Sequence, residues 1–248
     1  MGRLAMDRVV VEAFRLPWTN RRVFARALAF PALAMVALYA PYWWFYEQLD
    51  GGMQFVVYAA DKLLWVVFAV CCHRVVLLAL PYGERVRPTW GRRETVFTGF
   101  VLLLMATGWL VAMPIMTLLV NAGQLYTSFL PRSHGDLFWA TGGMYAIAGY
   151  IWARLSPVFP ATAIDAPTSV TGAWALTRHN GLRMMVLVLA LPVAIEFILG
   201  LLSREDATFV EALLLRLLLA VALAVEITVL SIAYRELVAM HGAGEQPA

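Results

Sequence analysis

AWALTRHNGLRMMVL, running from Ala173 to Leu187, interrupts an apolar chain with a Thr-Arg pair and an Asn-Gly step before returning to hydrocarbon. A simple membrane anchor has no use for such an interruption. Upstream, Pro167, Thr168 and Ser169 read as a turn and helix cap, and Asn180-Gly181 reads as a helix stop. Between them Val170, Ala173, Trp174 and Leu176 gather on one side of a short helix. The pattern predicts an interfacial helix from Val170 to Arg178, with Trp174 at headgroup level and Arg178 toward the headgroups. Gly181 is expected to turn the chain through the left-handed conformation that glycine adopts without a side-chain clash. The stretch is then an elbow that feeds a membrane span beginning near Leu182.

The rest of the chain supplies the spans. Of 248 residues, 62% are hydrophobic and only 14% are charged, with a mean hydropathy of +0.74. Soluble domains carry about 25% charge, and several runs here reach the ~20 apolar residues that a bilayer core demands. The expected fold is all-α: one polytopic helical bundle over residues 1–248, with six transmembrane helices and cytoplasmic interfacial helices. The spans fall at about Phe24–Tyr46, Phe55–Leu80, Val96–Val120, Leu137–Phe159, Leu182–Leu202 and Phe209–Val238. Pro114 is expected to kink the third. The polar lead before the first span is not built like a cleaved signal peptide, because the apolar run after it is too long.

Charge sets the expected orientation. Lys62 is the only lysine. Arg3, Arg8, Arg15, Arg21, Arg22 and Arg26 precede span one, and Arg74, Arg85, Arg87, Arg92 and Arg93 lie between spans two and three. Arg154, Arg178 and Arg183 lie between four and five, and Arg235 ends span six. The opposite side receives Lys62, Arg132 and Arg204, together with Glu47, Asp50, Asp61, Asp136, Glu205, Asp206 and Glu211. The positive-inside rule then places both termini in the cytoplasm. Cations at span ends meet lipid rather than nucleic acid, so the bilayer is the expected partner, with a membrane-protein partner or a second copy as further options.

An elbow pattern recurs. EAFRLPWTNRRVFARAL from Glu12 aligns with GAWALTRHNGLRMMVLV from Gly172, matching Ala13 with Ala173, Phe14 with Trp174, Leu16 with Leu176 and Asn20 with Asn180. Pro31 and Pro192 follow inside the next spans, and CHRVVLL from Cys72 resembles AYRELVA from Ala233. A middle hairpin, entered by WGRRETVF and left by WARLSPVF, fits more loosely. The pattern reads as a weak internal repeat of helical hairpins entered from the cytoplasm; chance similarity between apolar segments is the competing explanation.

The segment Arg154 to Met185, RLSPVFPATAIDAPTSVTGAWALTRHNGLRMM, resembles a signature of the YciC-like group of small bacterial multispanning proteins. That signature reads R-L-S-x-x-x-P-A, then S-x-x-x-A-W-x-L-T-R-G-N-x-W-R-x-L. The group is itself similar to the membrane domain appended to some glycerophosphodiester phosphodiesterases. CHRVVLL with Glu84-Arg85 resembles the group's W-H-R-x-x-L-L-G-E element. The chain departs from the pattern at His179, Leu182 and Cys72, where the group has Gly, Trp and Trp. The resemblance implies a multispanning architecture and a bacterial inner-membrane location. It implies no reaction, because the soluble phosphodiesterase domain has no counterpart in this sequence.

Ionisable residues inside spans are the functional candidates, since their burial costs ~2.5–3.5 kcal/mol or more. Glu196 in span five and Arg216 in span six fall at similar depth and are expected to pair. Glu226 lies deep in span six, ~15 Å along the helix from Arg216. Its expected partners are His73, Arg74 or Arg154. It reads either as a proton or cation site or as a protonated hydrogen-bonding group. Arg74, Arg154 and Arg235 end the three descending spans as positive-inside anchors; with Arg178 they are also candidate lipid-phosphate contacts. Gly142, Ala146, Gly149 and Ala153 give span four one face of small residues for close helix packing.

Catalytic motifs fail: there is no H-E-x-x-H, Walker loop, G-x-S-x-G or C-x-x-C. Cys71 and Cys72 are adjacent and read as small packing residues. The four histidines, His73, His134, His179 and His241, are scattered; His73 and His179 meeting at the interface would still not make a metal site. No catalytic residue, metal or cofactor is therefore expected. The leading functional expectation is a non-catalytic membrane protein that scaffolds, assists assembly or organises lipid. The alternative is a small-solute or ion transporter or channel that uses Glu226 and Arg216. A lipid-modifying enzyme, with Asp165 as its only nearby carboxylate, is weaker still. A water-accessible cavity reaching Glu226 separates the alternative from the first.

Overall fold

The structure, a computed structural model, describes residues 2–45, 48–78, 86, 88–126, 146–202 and 208–242. Among these there is helix and no strand. The helices are α1 (Met6–Thr19), α2 (Arg21–Phe45), α3 (Gly51–Leu77), α4 (Arg92–Tyr126) and α5 (146–155), followed by the short α6 (Val158–Ala163) and α7 (Val170–Leu176). Then come α8 (Gly181–Gly200) and α9 (Phe209–Gly242). Four helices, α2, α3, α8 and α9, are long and apolar enough to cross a membrane. They carry Phe30, Leu33, Phe55, Phe197 and Val221 well exposed, a surface suited to lipid tails and costly in water.

The expected span boundaries move in two places: the helix of the third runs from Arg92 to Tyr126 rather than Val96 to Val120, and the fourth breaks before its expected end. The fourth span is expected to run to Phe159, but α5 stops at a turn around Ser156-Pro157 and α6 is a separate helix. Pro157 cannot continue the hydrogen-bond ladder. The beginning of that span, with Gly142, lies outside the described residues. Helix α4 runs on through Pro114. In α8 the turn Val186–Ala190 widens to a π-helix immediately before Pro192, whose missing N–H leaves a helical carbonyl without its usual donor.

The elbow is a distinct element. Ser169 caps α7, its Oγ accepting from the Gly172 N–H at 3.0 Å. Residues 177–180 form turns, and α8 starts at Gly181. Gly181 does not use a left-handed backbone, since no glycine among the described residues has positive φ. Its role is space: a Cβ there would sit 2.7 Å from Arg154 Cδ and 2.7 Å from the Tyr150 hydroxyl. The residue that does turn left-handed is Asp165, at φ 56°. It closes α6, its N–H donating to the Thr162 carbonyl at 3.2 Å while the Ala166 N–H donates to Ala161 at 2.9 Å.

The first elbow shares some local features with the second, although α1 has 14 residues to the 7 of α7 and Asn20 is exposed where Asn180 is buried. Asn20 separates α1 from α2 with φ −103°, ψ 28°, and Asn180 precedes α8 with φ −126°, ψ 15°. Both carbonyls begin the following helix, accepting from Phe24 at 3.1 Å and from Met184 at 2.8 Å. Ala13 and Ala173 are both buried, while Phe14 and Trp174 are both exposed.

The core lies where α3 crosses α9, at the end of the bundle that carries the elbows. Phe68, Val70, Cys72 and His73 on α3 are buried, as are Thr228, Val229, Ser231 and Ile232 on α9. The Ser231 hydroxyl donates to the Ile227 carbonyl at 2.8 Å. Its one proton is thereby used, so it accepts from His73 Nδ1 at 2.7 Å. Cys72 Sγ lies 3.6 Å from the Ala224 carbonyl. Such polar contacts between spans contribute about 0.6 kcal/mol each on average, and close packing supplies much of the rest. The opposite end is looser: the last segment of α8, Leu191–Gly200, contains no buried residue.

Candidate functional site: a charged cleft between four helices

Glu196, Arg216 and Glu226, the intramembrane charges singled out in the sequence, line one cavity of about 220 Å³ between α2, α3, α8 and α9. Asp61 and Lys62 complete its polar wall. A second space of about 170 Å³ shares Asp61, Lys62 and Arg216 and adds Tyr39 and Tyr58. Alternating apolar contacts position these groups. Ala32, Met35 and Val36 face the cavity from α2, and Trp65 faces it one turn beyond Asp61 on α3.

The expected pairing of Glu196 with Arg216 is not made; no N–O contact within 4.0 Å joins them. The Arg216 guanidinium instead lies 4.3 Å from the centre of the Tyr39 ring, an attraction of about 0.5–2 kcal/mol that depends on desolvation. Lys62 Nζ is 3.2 Å from Asp61 Oδ2 and 5.1 Å from the centre of the Tyr58 ring. Glu196 and Glu226 take part in no ion pair among the described residues. Two cations and three carboxylates thus share a cleft with two of the carboxylates unpaired. At ~30 Å³ per water the cavity has room for several solvent molecules.

Glu226 finds none of its expected partners. His73 is used by Ser231, and Arg74 donates to the Ala163 carbonyl at 3.1 Å. Arg154 donates from Nε to Thr177 Oγ1 at 2.9 Å and from its terminal nitrogens to the Tyr150 hydroxyl and the Trp174 carbonyl. His73 and His179 do not meet either: the first is buried and the second exposed.

The candidate lipid-phosphate contacts separate. Arg154 is 6% exposed and its guanidinium stacks 3.9 Å from the Trp174 ring centre, so it is committed to the elbow. Arg74 closes the end of α6, satisfying a carbonyl that a helix terminus leaves without an internal partner. Arg235 meets Glu12 of α1 at 2.7 Å. Arg178 is exposed. Arg183, one turn into α8, donates to the Leu4 carbonyl, while the Leu4 N–H donates to Asn180 Oδ1 at 2.9 Å. Asp165 is held by Arg93 at 2.6 Å. The small face of α5 has a use: a Cβ on Gly149 would collide with the Leu189 side chain of α8.

Asp61 and Lys62 are not among the site residues expected from the sequence, where they lie inside the second span and count only toward the charge of the far side. They lie ten and eleven residues after Gly51, inside a 27-residue helix, ~15 Å from its start. Adjacent opposite charges deep in an apolar run were the available signal. No cluster of three or more metal-binding side chains occurs among the described residues.

Searches against protein-family models, curated proteins and solved structures find no match for this chain.

Proposed function

We propose that the chain is a six-span protein of a bacterial inner membrane with both termini cytoplasmic. Its charged cleft binds a ligand from the periplasmic side, as the entry half of a transport path. The elbow end is cytoplasmic on this reading and the cleft opens toward the other face. The resemblance of Arg154–Met185 to the YciC-like group supports the architecture and location, and the arginine split supports the orientation.

The observation that carries the reading is the cavity that reaches Glu226. A carboxylate inside a bundle is costly unless water, a cation or a ligand meets it. An open pore is disfavoured, because α3 and α9 pack tightly from Val66 and Ala224 onward toward the elbows. Binding without bond chemistry accounts for the side chains present.

The scaffolding or lipid-organising reading draws on a different observation. Arg154, Arg183 and Arg235 bond to the elbow turns and the N-terminal segment, which ties the elbow end together.

A thermal-shift panel of small cations, anions and zwitterions tests the binding reading. A ligand at 100 times its Kd stabilises by about 2.7 kcal/mol. The proposal expects a compound that raises Tm for the wild type and for neither Arg216→Gln nor Glu226→Gln. A shift of equal size in both variants contradicts it.

A further inference from the structure

We infer that the ligand of the cleft is a zwitterionic phospholipid, its phosphate on Lys62 and Arg216, its ammonium toward Glu196 and Glu226, and an acyl chain between α2 and α3. This rests on the binding reading above and names its ligand class.

Charge selects the headgroup. The cleft presents two cations with aromatic backing, Lys62 by Tyr58 and Arg216 by Tyr39. It also presents two carboxylates with no ion pair among the described residues. A simple anion would leave Glu196 and Glu226 unmet, and a simple cation would leave Arg216 unmet. A phosphate joined to an ammonium satisfies both sets, with charge-assisted hydrogen bonds to the phosphate oxygens.

The adjoining surface selects an amphiphile. Leu38 lines the space containing Arg216 and Lys62, and it also lines an open groove of about 620 Å³ along α2 and α3. Small residues, Ala34, Ala37 and Ala60, leave room in that groove, and Leu63, Leu64 and Val67 make it apolar. From Ala60 to Val67 the groove follows α3 for ~10 Å, away from the end where the cleft's charges begin and toward the elbows. A lipid of the periplasmic leaflet has the same sense, phosphate outward and chain toward the bilayer centre, with the headgroup ammonium bent inward along the cleft toward Glu226. A water-soluble zwitterion would use the cleft but have no use for the groove.

Native mass spectrometry of the detergent-purified protein separates these cases. The probes are dioleoyl phosphatidylethanolamine, dioleoyl phosphatidylglycerol and the chain-free headgroup glycerophosphoethanolamine. Phosphatidylethanolamine is expected to bind about tenfold more tightly than phosphatidylglycerol. That preference is expected to vanish in Glu196→Gln with Glu226→Gln, while Arg216→Gln with Lys62→Gln is expected to weaken both lipids alike, a loss equivalent to one or two charge-assisted contacts. Filling the groove with Ala37→Phe and Ala60→Phe, two substitutions outside the charged cleft, is expected to weaken lipid binding by a similar factor. Equal binding of the two lipids overturns the inference, as does lipid binding indifferent to the groove substitutions. If glycerophosphoethanolamine binds as tightly as the intact lipid, the lipid assignment fails while the cleft remains a ligand site. If none of the probes binds and the thermal-shift panel is also silent, both readings fail.

Discussion

Arg154 and Trp174 form a closed unit: the guanidinium lies 3.9 Å from the indole ring centre and donates to the carbonyl of the same residue. The arginine comes from the end of α5 and the tryptophan from α7, so this contact ties a descending helix to the elbow of the next hairpin. Arg154→Gln is expected to lower stability by about 2–3 kcal/mol, because Thr177 is fully buried and the Trp174 carbonyl loses a charged donor. Arg154→Lys should rescue little, since an ammonium cannot both stack and fork. Arg178→Ala, one residue past Thr177 but exposed, should change stability by less than about 0.5 kcal/mol. Thermal unfolding in one detergent compares the three; equal losses for Arg154→Gln and Arg178→Ala would contradict a stabilising tie between Arg154 and the elbow.

Gly181→Ala is expected to destabilise by about 1–3 kcal/mol, through overpacking against Arg154 and Tyr150. Gly200→Ala meets nothing within 4 Å and should be neutral or slightly stabilising. A tolerated Gly181→Ala would mean that α5 and α8 lie farther apart than described.

His73 and Ser231 are expected to couple. In a double-mutant cycle with His73→Ala and Ser231→Ala, the interaction should be about 0.6 kcal/mol, and at most about 1.7 kcal/mol. Strict additivity of the two losses would argue that the 2.7 Å contact contributes nothing to the α3–α9 crossing.

Topology has its own test. Reporter fusions after Gly51, Ser133 and Glu205 should read periplasmic, and fusions after Arg87 and Asp165 cytoplasmic. A reversed site would contradict the six-span arrangement with both termini inside.

Much of the helix pattern was legible because hydropathy reports how deep each residue lies along a span. The break at Asn180-Gly181 and the Ser169 cap were legible because local chemistry dictates them. Rotation about each helix axis was not. An arginine at a span end reads the same whether it snorkels to phosphate or turns inward, and Arg154 turned inward only because Thr177 and Trp174 lie opposite it. Asp61 and Lys62 fall inside the second expected span but read only as charges of the far side, because the sequence does not show which way they face in α3. The partners of Glu226 depend on which helices pack together, which no single span encodes. Asn-Gly favours turns, so Gly181 reads from sequence as a conformational glycine; the close approach of Tyr150 and Arg154 is a tertiary fact.

The central claim, a hydrated cleft reaching the middle of the membrane from one side only, is tested most directly by thiol accessibility at position 226. Glu226→Cys would be built on a background with both native cysteines replaced, Cys71→Ala and Cys72→Ala. A membrane-impermeant maleimide added to the periplasmic side of oriented membranes is expected to label it, while the same reagent added from the cytoplasmic side should not. Val229→Cys, fully buried three residues nearer the elbows, should stay unlabelled from either side. Failure of position 226 to react from the periplasmic side, or labelling from the cytoplasmic side alone, would contradict the account.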